Sequence, residues 1–393
     1  MRTRLLAGIV AAGSGLALLA GLGLPGGGSG RAATSAGTIV VERLADDLDL
    51  PWAVAPLPDG GALITEKDGR LWYFDAAFER KAIGGVPEVF NRSQGGLLDV
   101  APARDFAETG EIFLTYAEPA GGSRARTAMA IAALDTEAGR LRDVRVIFRQ
   151  EPSLGGGRHF GSRIAEAADG TIFITTGDRG ERPLAQDPDN HVGKVVRIAR
   201  DGSVPSDNPF PDGRLASGGA IKPEIWSLGH RNPQGSALDE SGRLWTLSHG
   251  ARGGDEVNLS EAGLNYGWPV ISYGRHYAGG QIGEGTARVG MEQPRFYWDP
   301  SMAPSGMIVY GTASSGAAFA DWRGDLIVGS LKFSYVGRLD REGGEILGEE
   351  RLFEGVYGRV RDIAEAPDSS IWFLSVNDGA LYRMAPEGWS PGG

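Results

Sequence analysis

The sequence predicts an all-β protein, a six-bladed β-propeller of four-stranded antiparallel blades. Three observations lead there. One short phrase recurs six times, Asp-Gly turns pair many of the strands, and helical periodicity is scarce.

The phrase is a turn of Asp/Gly type followed by a run of large apolar residues. It first reads Pro58-Asp59-Gly60-Gly61-Ala62-Leu63-Ile64, then Thr109-Gly110-Glu111-Ile112-Phe113-Leu114. It returns as Asp169-Gly170-Thr171-Ile172-Phe173-Ile174 and as Ser241-Gly242-Arg243-Leu244-Trp245. The last copies are Arg323-Gly324-Asp325-Leu326-Ile327-Val328 and Asp368-Ser369-Ser370-Ile371-Trp372-Phe373. The markers Gly60, Gly110, Gly170, Gly242, Gly324 and Ser369 lie 50, 60, 72, 82 and 45 residues apart. These are blade-sized intervals, and the longer middle ones carry insertions. Second turns and strands follow several copies, as in Lys67-Asp68-Gly69-Arg70-Leu71-Trp72 and Asn377-Asp378-Gly379-Ala380-Leu381-Tyr382. Strands paired through Asp-Gly turns are hairpins. Six such sheets arranged radially satisfy the pattern. A pair of β-sandwiches leaves the six like phrases unexplained. Trp52, Trp72, Trp245 and Trp372 lie in or beside these strands and read as blade core.

The N-terminus has the order of a secretory signal. Arg2 and Arg4 precede an apolar stretch from Leu5 to about Leu24, small residues follow, and the first acid is Glu42. Cleavage is expected between Ala32 and Ala36. That assigns residues 1–36 to a signal peptide and 37–393 to a single propeller domain. The rival is an uncleaved anchor, since the run is about long enough to span a bilayer. The cleaved reading places the mature protein in the periplasm or outside the cell, with no membrane insertion.

Charge and cysteine content exclude several classes. The chain carries −11, and loss of Arg2, Arg4 and Arg31 takes it to −14. Such a chain has no electrostatic footprint for nucleic acid, and any anion it binds needs a local basic pocket. There is no Cys. Disulfides, thiolate metal sites, a Cys nucleophile and a covalently attached c-type haem are therefore all ruled out.

Polar segments that a blade core does not need flank the repeat phrases. They are residues 157–163 (GRHFGSR), 228–235 (LGHRNPQG), 248–258 (SHGARGGDEVN), 357–362 (YGRVRD), 94–99 (QGGLLD) and the lone Lys332. Propellers bind ligands at one mouth of the channel, on such loops. If Arg231, Lys332, Arg359 and Arg361 converge, they form a site for a polyanion held by Arg forks. The other reading pairs Arg359 and Arg361 with acids such as Asp362 or Glu365. His159 suits a general base. Asp255, Glu256 and open carbonyls between Gly250 and Asn258 suit Ca²⁺. His230 and His249 read as structural, and His191 and His276 as surface or loop residues without partners.

Taken together with residues 175–180 (TTGDRG), 201–205 (DGSVP) and 265–269 (NYGWP), these segments resemble the soluble quinoprotein glucose/sorbosone dehydrogenase family, in its aldose sugar dehydrogenase branch. The resemblance runs from about Leu50 to Met384. It implies a six-bladed propeller that oxidises the C1 hydroxyl of aldoses to lactones with pyrroloquinoline quinone (PQQ) and Ca²⁺. By position, it implies that His159 takes the hydroxyl proton and that Arg231 polarises the quinone, with Asn232 and Gln94 as neighbours. Lys332, Arg359 and Arg361 match the clamp on the PQQ carboxylates. Gly250 and Ala251 match carbonyl ligands of the catalytic Ca²⁺, and Glu256 with the Tyr266 carbonyl matches a second, structural Ca²⁺ site. Ala251 stands where the family usually has Pro. Asp299 and Ser301 replace a Trp and a Thr of glucose-specific members. The alternative function is a propeller without the quinone, acting as a lactonase or as a carbohydrate- or protein-binding module.

Overall fold

The computed structural model describes residues 30–313 and 318–390. The apolar run of the expected leader lies outside them. Among the described residues, helix is confined to single turns at Phe106–Thr109, Arg182–Ala185 and Ala320–Trp322. No described helix is long and apolar enough to cross a membrane.

Six antiparallel sheets form the blades. Blade one takes its strands in chain order: Pro51–Pro56, Ala62–Glu66, Leu71–Phe74 and Arg80–Ile83. Blades two to five repeat this plan, with innermost strands Leu97–Pro102, Gly161–Glu166, Pro233–Leu238 and Pro304–Val309. Blade six begins with Val360–Glu365, Ile371–Ser375 and Ala380–Pro386. Its fourth strand is Gly37–Ala45 from the other end of the chain, with Val41 opposite Met384. That pairing closes the ring, so the two chain ends hold each other through a sheet ladder. Blades two and six each exceed four strands: Leu154–Gly155 adds to Arg124–Asp135, and Gly30–Thr34 folds back on Gly37–Ala45. The expected leader boundary falls within that last hairpin and leaves the closing strand whole.

The recurring phrase becomes the second strand of every blade. In blades one, three, four, five and six this strand is buried along its whole length. A propeller blade presses both faces against its neighbours. Its middle strands therefore read as unbroken apolar runs rather than alternating ones. Separate apolar clusters fill the junctions: Leu63 with Leu114 between blades one and two, Phe113 with Ile174 between two and three, and Ile327 with Phe373 between five and six. Each large aliphatic or aromatic side chain so buried stabilises the fold by about 1.5–3 kcal/mol. Trp245 and Trp372 belong to these cores as expected.

The six innermost strands touch one another in a ring around the channel. Functional side chains gather where the chain enters an innermost strand and where it leaves the second strand. The hairpin geometry puts both points at the same end of every blade.

Candidate active site

At that end lies a cavity of two lobes. An axial lobe of about 310 Å³ is walled by Trp52, Lys67, Gln234, His249, Arg359 and Arg361, among others. A lateral lobe of about 440 Å³ is walled by Arg158, Asp178, Gly180 and Arg182. Ser93, Gln94, His159, Arg231 and Tyr277 line both.

His159 sits at the junction, just ahead of the blade-three innermost strand. Its backbone is in the left-handed region, at φ 56°. Two contacts hold it there. Its amide donates to Gln94 Oε1 (2.7 Å), and its carbonyl lies against Gly177, where a Cβ would collide with it. Its Nδ1 lies 2.6 Å from Asp178 Oδ1. Asp178 is fixed in turn by Trp268 Nε1 (2.8 Å) and the Gly180 amide (2.8 Å). Burial pushes the Asp178 carboxyl up, but the bond to His159 and the other donors outweigh it and hold it below its usual range. An ionised carboxylate only accepts, so Nδ1 carries the proton and Nε2 keeps a lone pair. Burial lowers the His159 pKa, the Asp178 bond opposes this, and Arg231 adds to the lowering. The imidazole is thus neutral near pH 7 and able to take a proton.

Two cations of the axial lobe, Arg231 and Arg361, are buried without a carboxylate in contact. Arg231 donates Nη1 to the His249 carbonyl (3.2 Å), while its buried Nε has no partner among the described residues. Arg361 donates to Gln234 Oε1 (2.6 Å), and its Nε is likewise unpartnered. Burial lowers both, Arg361 to about 9 with Arg163 beside it. Arg361 therefore does not pair with Asp362, whose carboxylate instead meets Arg163 at 2.8 Å and the Val54 amide at 2.9 Å.

The structure brings together Gln94, His159, Arg231, Asn232, Arg359 and Arg361 on one cavity wall. Asn232 Oδ1 accepts the Gly161 amide (3.1 Å), which braces the turn after His159. Lys332 is not on the wall. It is exposed, one residue beyond wall residue Leu331, with Nζ 4.8 Å from the Phe333 ring. Gly250 and Ala251 are not on the wall either. The Ala251 carbonyl accepts the Arg275 amide (2.9 Å), and its side chain packs with Trp268 and Ile282. Asp255 is committed to the Gly250 amide, the Ala303 amide and the Ser301 hydroxyl. It braces two loops together. Tyr266 stacks on His230 at 4.8 Å, and His230 also meets Ser227 Oγ (2.8 Å), a structural arrangement.

Four readings need correction. His191 is not a surface residue: it is buried, accepts the Glu151 amide at Nδ1 (3.1 Å) and faces Glu224 (3.4 Å). His276 has a partner, Arg182 (3.1 Å). His249 is a wall residue as well as a structural one. Trp52 belongs to a blade core, but it also lines the cavity, and its ring meets the guanidinium groups of Arg361 on the wall (4.2 Å) and of Arg163 behind it (4.4 Å). Sequence reasoning assigned no role to Lys67, Arg158, Asp178, Arg182 or Tyr277. The first four stand in or beside quoted motifs, so their position was visible and their direction was not.

The glucose/sorbosone dehydrogenase family model matches residues 48–383. The aldose sugar dehydrogenase YliI of Escherichia coli is 40% identical over 355 residues, covering 89% of this chain and 93% of its own. The chain belongs to the glucose/sorbosone dehydrogenase family. It is a sugar dehydrogenase, an oxidoreductase. Among solved structures, the apo-form of the soluble aldose sugar dehydrogenase from Escherichia coli superposes with a TM-score of 0.83 at 39% identity, covering 89% of this chain and 100% of that one. The PQQ-bound aldose sugar dehydrogenase of Streptomyces coelicolor gives 0.71 at 25% identity, covering 91% and 99%. Among the described residues, no three His, Asp or Glu converge on a possible metal position.

Proposed function

We propose that this member of the family oxidises the C1 hydroxyl of aldose sugars to the lactone with PQQ and Ca²⁺, in the periplasm or outside the cell. One observation carries the reading. A neutral His159, aligned by Asp178, faces buried guanidinium groups that have no carboxylate of their own.

The wall fits PQQ on its own chemistry. Unpartnered Nε donors on Arg231 and Arg361, with Arg359 and Lys67 beside them, suit a ligand bearing several carboxylates. The PQQ-bound relative supports the same group. Lys67, whose Nζ donates to the Ser93 carbonyl, adds a further cation to this wall.

Ca²⁺ fits best at the second site. Burial pushes the Glu256 carboxyl up to about 7, and neighbouring Asn258 has a buried Oδ1 without a partner. Those two oxygens are relieved by a hard cation. Gly250 and Ala251 would supply the catalytic ion through their carbonyls. The Ala251 oxygen, already accepting one amide, has one lone pair left for it.

Bound PQQ would supply the two-electron acceptor. The chain supplies the rest. His159 Nε2 takes the C1 hydroxyl proton, and Asp178 steadies the imidazolium that forms. Arg231 offers hydrogen bonds to developing negative charge, in a site where burial strengthens them. Gln94 and Asn232 hold the His159 turn through its backbone.

The test is reconstitution. Purified protein given PQQ and Ca²⁺ should reduce an artificial dye in the presence of an aldose. Absence of both dye reduction and PQQ binding overturns the reading.

A further inference from the structure

The two lobes differ in what they leave for the substrate. Lys67, Arg359 and Arg361 line only the axial lobe, and Arg158 and Arg182 line only the lateral lobe. His159 belongs to both. Under the proposed function, C1 of the sugar must sit at His159, and the anionic cofactor fits the axial cations. The remainder of the sugar then extends into the lateral lobe.

That lobe is strongly basic in a chain of net charge −11. Its acid, Asp178, is consumed by His159, Trp268 and Gly180. Arg158 is exposed and makes no ion pair among the described residues. Arg182 spends one donor on His276 Nδ1 (3.1 Å), rests over Trp268 (5.3 Å) and keeps its other donors. Tyr277, 70% exposed, offers an aromatic face at the rim, and its carbonyl is held by Arg252 Nη1 (3.3 Å). Hydroxyls of a neutral hexose can accept from the Arg158 and Arg182 guanidinium groups, but leave their charge unmatched. An anion matches it: the fork geometry of Arg suits carboxylate and phosphate alike.

We propose that the preferred substrate is an aldose carrying an anionic group remote from C1, gripped by Arg158 and Arg182. This rests on the proposed dehydrogenase reading. The shared chemistry is a sugar carboxylate or a sugar phosphate.

The holoenzyme is assayed on glucose, glucuronate and glucose 6-phosphate. The expected result is a kcat/KM at least about tenfold higher for one of the anionic sugars, the size of one charge-assisted hydrogen bond. The better of the two identifies the anion. The preference should shrink with added salt. In Arg158→Gln/Arg182→Gln the ratio of anionic to neutral sugar should fall toward one. A binding arm needs no turnover. Methyl β-glucuronide, which has no free C1 hydroxyl, should bind the holoenzyme more tightly than methyl β-glucoside, and the double variant should lose the difference. Oxidation of all three sugars without preference overturns this proposal and leaves the dehydrogenase intact. Failure to oxidise any of them overturns this proposal, and only together with absent PQQ binding does it overturn the PQQ-dependent reading as well. Anionic-glycoside binding unchanged in the double variant also overturns it, because the anion then sits elsewhere.

Discussion

Arg163 and Arg361 lie on innermost strands of different blades and press against the same indole, Trp52, at 4.4 and 4.2 Å. Both are buried. Their electrostatic situations are opposite. Arg163 meets Asp99 at 3.0 Å and Asp362 at 2.8 Å, and these carboxylates outweigh the burial that lowers it and raise its pKa above the ordinary value. Arg361 has only an amide oxygen, and burial drags its pKa down to about 9. Taking a charge out of water costs several kcal/mol per ion, so a fold that buries a cation normally buries its counter-ions with it. The layer behind the wall, the channel floor, obeys that rule, and the cavity wall does not. A buried cation with carboxylates is architecture. Buried Lys194 and Arg179 also lack a carboxylate, but backbone carbonyls take their donors. Arg361 differs in keeping an unpartnered Nε on a cavity wall, where a ligand can bring the negative charge.

The largest effect that sharpens this contrast is on rate. If the wall serves the ligand rather than the fold, His159→Ala should retain PQQ and thermal stability. It should lose turnover by about 10²–10⁴-fold, the span for a missing general base. Single-turnover kinetics on the reconstituted variant checks it, and near-wild-type rates would remove His159 from the mechanism.

Breaking the floor should be a stability event. Arg163→Met strands Asp99 and Asp362 as buried, unpaired carboxylates, at a cost of about 3–5 kcal/mol. Denaturant unfolding of the cofactor-free protein should show the unfolding free energy falling by that amount and the midpoint falling in proportion. Arg361→Met makes the opposite prediction. The apo-protein should be unchanged or slightly more stable, because an uncompensated cation has been removed. PQQ affinity should fall by about 1.5–3 kcal/mol, the worth of a hydrogen bond to a charged group. If Arg361→Met instead unfolds the protein as Arg163→Met does, the distinction between floor and wall fails.

The sequence made the blades legible because each blade repeats one physical requirement. A middle strand pressed on both faces must be apolar throughout, and a hairpin must turn on Asp-Gly or its equivalent. The motifs likewise located the loops, because polar residues crowded beside a core strand have no packing reason to be there. Direction was not legible. Arg163 and Arg361 both stand in quoted motifs, and nothing in their spacing tells which one points at Asp362. Lys332 and Lys67 both follow a second strand by one or two residues, and only the folded loops decide that Lys67 reaches the wall. The ring closure by Gly37–Ala45 was hidden for a different reason: it pairs strands more than 300 residues apart, and no local pattern reports such a partner.

The smallest effect comes from the carboxylate that does meet the wall. Asp178 touches the cavity but is fully engaged, so on the floor-versus-wall contrast it positions His159 and does not bind ligand. Asp178→Asn removes the negative charge facing Nδ1–H, and the new amide NH2 must face either that N–H or Trp268 Nε1–H, so the imidazole can turn or change tautomer. Losses from such supporting partners run to about 10–100-fold where they orient a His ligand. A rate loss alone would not separate positioning from general damage, and the pH profile does. The Asp178 bond raises the His159 pKa against the lowering by burial. Removing it therefore lowers that pKa further, and the acid limb of kcat/KM, which reports protonation of the free base, moves to lower pH. A variant that merely loosened the site would lose rate at every pH and leave the limb where it was. A limb that stays in place in Asp178→Asn would show that the 2.6 Å contact does not tune the base.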